Sequence, residues 1–313
     1  MPSLDSTIGA GYLGTLAAAI LYGVTSVQAF LYFHDSRGDG RPLLAMVFFL
    51  WIIDTIHLGF TAHGLYFYLI TSFGDFRVLL SPTWTILAQV YLTTISTLIA
   101  RGFFARRVFV LCGRNRVAAI VLSTIITILA LCVFGFGCAF ASKSFVLKTY
   151  EEMNKASFML YTSFGCAVVA DTLIAVSLCT LLVRSRTGFK RYGYSYTPIF
   201  IDLYLSSSTD SIVTMLMAFT INTGLLTSLG AIACFVTYAI WPQRFIFMGI
   251  YFALSKLYIN SLLASLNARG SLRGQSYEAS TMPHGIDTPI VFPMKATSPI
   301  TSTKESRYSG SVV

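Results

Sequence analysis

Val117–Ser142 reads VAAIVLSTIITILALCVFGFGCAFAS, 26 residues without an acid or a base. As a helix rising about 1.5 Å per residue it is longer than the roughly 30 Å of bilayer hydrocarbon. Its apolar residues cover every face, so it has no side suited to water. Arg114 and Arg116 flank one end and Lys143 the other, where headgroups begin. This stretch is a membrane span, and it sets the class of the protein.

Six further runs on either side have the same character: Gly11–Phe33, Leu43–Leu69, Trp84–Ala105, Phe158–Val183, Ile212–Tyr238 and Phe245–Leu266. Short connections make consecutive spans antiparallel neighbours. The expected fold is an all-α membrane protein, a seven-transmembrane helix bundle over residues 11–268, after a short extracellular N-terminus at 1–10. The first run is too long for the apolar core of a cleavable leader and reads as a span. From Arg269 onward the sequence is rich in Ser, Thr, Gly and Pro, which predicts a disordered cytoplasmic tail over 269–313.

Composition supports this. Hydrophobic residues make up 55% of the 313-residue chain and charged residues 11%, with a mean hydropathy of +0.70. A soluble domain carries about 25% charged residues. The net charge of +9 sits in short runs between the apolar stretches, such as Arg106-Arg107 and Lys190-Arg191. That pattern suits anionic headgroups; no nucleic-acid motif accompanies it. The expected partners are the lipid bilayer and an unidentified ligand or cytoplasmic partner.

Lys and Arg in the connections orient the bundle. Thirteen fall on one side, Arg37, Arg41, Arg101, Arg106, Arg107, Arg114, Arg116, Arg184, Arg186, Lys190, Arg191, Arg269 and Arg273. Five fall on the other, Arg77, Lys143, Lys148, Lys155 and Arg244. The richer side is expected in the cytoplasm, which puts the N-terminus outside.

Polar groups within spans cost roughly 2.5–3.5 kcal/mol each on insertion scales, so they mark the candidate site. They are Asp54 and His57 in the second span, Asp171 in the fifth, Asn222 in the sixth and Lys256 in the seventh, with His63 and Gln89 beside them. Asp54 and His57 are three residues apart and share a helical face, which predicts an Asp–His hydrogen bond in the core. Lys256 is expected to meet an acid or to reach the cytoplasmic interface. A lysine in a seventh span suggests a retinal Schiff base, but Phe252–Asn260 does not match rhodopsin patterns. Four histidines, one at a helix end and one in the tail, leave too few ligands for zinc. Cys112, Cys132, Cys138, Cys166, Cys179 and Cys234 read as small packing residues. No catalytic residue, metal or cofactor is expected, because no nucleophile elbow, phosphate loop or metalloprotease helix is present.

Several strings now stand together: FLWIIDTIH at 49–57, FARR at 104–107, Ala170-Asp171, RSRTGFKR at 184–191, FTINTGLLTS at 219–228 and SKLYINSLLASLNAR at 255–269. The chain resembles the multi-span proteins of mushroom-forming fungi whose C-terminal half, here about 165–269, is called domain of unknown function 6534. The resemblance implies seven helices and carries no catalytic role to any position. In that pattern Thr209-Asp210-Ser211 follows Lys190-Arg191 directly; residues 192–208 interrupt it. These 17 residues match a short intron read in frame, and transcript sequencing tests whether they belong to the mature message. A receptor-like or sensory role in the plasma membrane leads the functional reading. A transporter of protons, small molecules or lipids follows, and an intramembrane enzyme comes third.

Overall fold

The computed structural model describes residues 7–35, 39–75, 77–113, 116–147, 149–192, 224, 226–242 and 244–281. All regular structure among them is helical: α1 (Ile8–Asp35), α2 (Arg41–Tyr66), α3 (Trp84–Leu111), α4 (Arg116–Val146), α5 (Ser157–Tyr192), α6 (Leu226–Ile240) and α7 (Ile246–Thr281). Six are long and apolar enough to cross a membrane. The sixth expected span falls partly outside the described residues; its described part is α6, a shorter apolar helix.

The helix ends follow local chemistry. Pro42 opens α2 behind the extended Gly40, where a missing N–H costs nothing. A wide turn at Phe67–Thr71 prolongs that helix. Gly113 follows α3 at φ +28°, on the left-handed side where glycine meets no Cβ penalty. Between α4 and α5, Thr149 caps a one-turn helix, Tyr150–Met153, by accepting from Glu152 N at 3.4 Å. Pro242 follows α6. The last helix differs from expectation: its backbone stays helical to Thr281, past Arg269 where the tail was placed. Serines and glycines are poor helix formers but do not stop a helix, and Pro283 is the first proline beyond it.

The bundle is apolar outside and partly polar within. Ile20, Phe30 and Ile128 are 65%, 69% and 55% exposed. Thr93, Ser96 and Thr97 of α3 are buried. Water would penalise that inversion and lipid permits it. The interior belongs to α7, with 61% of its most apolar stretch buried against 22% for α1 and α4. Around it, α1 packs on α2, α2 on α3, α3 on α4 and α4 on α5, while α7 touches α1, α2 and α3.

Pair spacing gives the direction of each helix. Phe164 packs edge-to-face with Tyr251 and Asp171 binds Tyr258, seven residues on along both helices, so α5 and α7 run parallel. Arg101 binds Tyr258 and Arg107 binds Ser265, so α3 runs with them. Along α1, Gly14 meets Gly249, Leu21 O accepts from Asn260 and Gln28 O accepts from Asn267, again parallel. By contrast α6 runs against α5, since Gly224 faces Ala175 while Tyr238 packs on Tyr161.

Candidate functional site

Two polar clusters and a cavity lie inside the bundle, and α3 or α7 contributes to each. In the first, Lys256 Nζ donates to Asp54 Oδ1 at 2.6 Å and to the Asp54 carbonyl at 2.7 Å. Both side chains are 0% exposed. Such a pair survives in a dry interior only because attraction and hydrogen bonds offset the loss of water. Lys256 therefore meets an acid and does not reach the interface; four methylenes are too short a stem when an acceptor stands beside the amine in mid-bundle. Its Nζ also lies 5.5 Å from the Tyr22 ring centre.

His57 departs from the expected Asp–His bond. It is 0% exposed, and among the described residues both its ring nitrogens lack a hydrogen-bond partner, as does Asp54 Oδ2. Lys256, arriving from α7, takes Asp54 Oδ1, and the imidazole makes no hydrogen bond to the remaining Oδ2. The Thr25 hydroxyl lies 2.9 Å from Asn260 Oδ1 and 3.1 Å from Leu21 O, sharing its proton between them.

The second cluster joins three helices. Arg101 Nε donates to Asp171 Oδ1 at 3.0 Å and Nη2 to Oδ2 at 3.2 Å, a two-pronged pair. Arg101 Nη2 also donates to Tyr258 Oη at 2.7 Å, and that hydroxyl donates to Asp171 Oδ2. Arg101 is 2% exposed, so it is not the interfacial cation that its neighbours Arg106 and Arg107 suggested. Its Nη1 has no partner among the described residues. Arg101 and Tyr258 were both missed by sequence reasoning. A signal for Arg101 existed: Thr94, Thr97, Arg101, Phe104 and Val108 follow helical spacing, and all are buried on α3. Nothing distinguishes Tyr258 among the chain's 17 tyrosines.

The third feature is a cavity where α3, α5 and α7 begin and α4 and α6 end. The volume open to the centre of a water molecule within it is about 80 Å³. Tyr150, Met153, Pro242 and Phe245 belong to the connections that border it, and Phe164, Tyr251 and Phe252 to the helices. Gln89 lies deep within, 1% exposed, with Oε1 2.5 Å from the Thr61 hydroxyl. His63 stands apart, its Nδ1 3.3 Å from Thr85 Oγ1. Asn222 lies outside the described residues.

The sequence candidates thus divide. Asp54, His57 and Lys256 come together; Asp171 belongs to the second cluster. Among the described residues no three His, Cys, Asp or Glu side chains converge as metal ligands. The six cysteines are free, and Cys234 alone among them is buried.

A family model described as "Family of unknown function (DUF6534)" matches residues 167–271, which include Asp171, Asn222, Lys256 and Tyr258. No curated protein and no solved structure matches the chain.

Proposed function

We propose that this integral membrane protein is a receptor-like or sensory seven-helix protein of the plasma membrane. The observation that carries the reading lies on α7. Tyr251 and Phe252 line the cavity, and within two further turns Lys256 and Tyr258 hold the buried acids of α2 and α5. Phe252 and Lys256 are one turn apart, about 6 Å at ~1.5 Å per residue. A molecule seated in the cavity presses on the helix that carries both locks. Close-packed interfaces of this kind switch between discrete arrangements rather than deform smoothly.

Seven spans have support beyond hydropathy. Because α5 and α7 run parallel, the chain between them has to return across the bundle, and α6 runs in the returning direction. With Arg101 removed from the loop charges, twelve Lys and Arg still oppose five, which favours an outer N-terminus and a cytoplasmic tail. The cavity then opens outward.

The test begins with native mass spectrometry of the purified chain to identify what it holds. Recruitment of cytoplasmic proteins is then followed by proximity labelling with and without that compound. Ligand-dependent recruitment that Asp54→Asn and Asp171→Asn change supports the receptor reading. Ligand flux in proteoliposomes that Asp54→Asn abolishes, with recruitment unchanged by ligand, sinks it in favour of transport. One observation favours that second reading: the buried His57 ring, three residues from Asp54 on α2 and without a hydrogen-bond partner among the described residues, is the kind of group a proton relay uses. An intramembrane enzyme has no comparable observation behind it.

A further inference from the structure

We infer that the cavity takes an uncharged, largely apolar small molecule, aromatic or hydrocarbon in body, with one hydrogen-bonding group directed at Gln89. The inference rests on the receptor reading only in naming this cavity as the ligand seat.

The lining decides the ligand's charge. None of the 17 residues around the cavity is charged, and eight are aromatic. An ion brought here loses its hydration and finds no counter-charge, which costs far more than aromatic contact returns. The buried Lys256 and Arg101 offer no rescue, because each is paired with its own acid and neither lines the cavity. A neutral body gains burial at about 25 cal/mol per Å² of apolar surface. Rings such as Phe164, Phe247 and Tyr251 also favour edge-to-face contact.

The polar groups decide its orientation. The deep amide is Gln89; Asn154, exposed, is at the mouth. Tyr150, although it lines the space, stands 3.3 Å from the Tyr68 hydroxyl, which itself donates to Ser81 O and accepts from Thr83 N. Gln89 Oε1 faces Thr61, and an amide keeps two N–H donors and a second lone pair beyond that contact. An alcohol, aldehyde, ketone or ester oxygen suits those donors, while the apolar body points toward Phe245 and Phe247.

The test uses the full chain in nanodiscs and four matched probes: 2-phenylethanol, ethylbenzene, phenylacetate and phenethylammonium. Binding is read as a saturable rise in unfolding temperature. The expected order places 2-phenylethanol first, ethylbenzene roughly five- to tenfold weaker for want of the hydrogen bond, and the two ions without effect. Gln89→Leu should remove the preference for the alcohol over the hydrocarbon. Met248→Trp, on a partly exposed position of the lining, should abolish saturation for both by filling the space. Saturable binding of either ion as tight as the alcohol's overturns the inference. So does an alcohol response unchanged by both variants, which signals partition into lipid. Neutral binding without any change in partner recruitment upholds the ligand class and rejects the receptor reading, so the two fail separately.

Discussion

Neutralising one member of a buried ion pair leaves the other charged, unpaired and without water. Asp171→Asn or Arg101→Met should each cost about 3–5 kcal/mol on that ground. The paired change Arg101→Met with Asp171→Leu should cost less than either alone, since no bare charge remains. Thermal unfolding in detergent decides it, and additive losses would show that the two side chains do not act as a pair. His57 carries the opposite sign. Its ring nitrogens are buried and have no partner among the described residues, so His57→Leu removes a desolvation penalty of about 1–3 kcal/mol and should stabilise the chain or leave it unchanged. A clear loss of stability would mean that the imidazole holds a partner. Reading the sequence found Asp54, His57, Asp171 and Lys256, because charge inside an apolar run is conspicuous in one dimension. It did not find who binds whom. Spacing of three residues put Asp54 with His57, whereas the partner that prevails comes from a helix about two hundred residues away. Arg101 hid for a related reason: five residues from Arg106, it looked like part of an interfacial run, and only its burial on α3 separates it from them.

Helices in lipid gain little from apolar burial against one another, so close approach at small residues carries more of their association. A Cβ on Gly14 would stand 2.3 Å from the Gly249 Cα, and one on Gly249 would stand 2.4 Å from the Ala10 carbonyl oxygen. Both obstacles are backbone and cannot rotate away. At Gly23 nothing lies within 4 Å of the added atom. The same substitution therefore has two signs. Gly23→Ala should be neutral or stabilising by up to about 1 kcal/mol, through helix propensity. Gly249→Ala should destabilise by about 1–3 kcal/mol as α1 is pushed off α7. Unfolding of the two variants side by side tests the crossing, and equal behaviour would place the helices further apart. Hydropathy made each long helix legible, together with its approximate start. The seam 14, 21, 28 against 249, 260, 267 was not legible, because a helix that is apolar all round offers no periodic stripe to mark the packed side.

Four helices running one way force a return between each of them. Since α1, α3, α5 and α7 are parallel, the segment joining α5 to α7 has to end on the side where α5 began. Loop charge argues independently that this side is the outer one. Helix direction and sidedness are both read by labelling intact cells, with single cysteines in a chain whose six native cysteines are replaced. Asp75→Cys, Glu151→Cys and Trp241→Cys should react with an impermeant maleimide from outside, because they occupy the connections after α2, α4 and α6. Asp39→Cys, after α1, should react only once the membrane is opened. A six-span chain cannot give that pattern: with α6 not crossing, Trp241 would stay on the side where α5 ends, opposite Glu151. Reaction of Glu151→Cys and Trp241→Cys from opposite sides would therefore remove the seventh span, and with it the shared wall of the cavity, since Phe164 of α5 and Tyr251 of α7 line one space only if both helices start at the same face. Reversal of all four labels together would instead keep seven spans and turn the bundle over, opening the cavity to the cytoplasm.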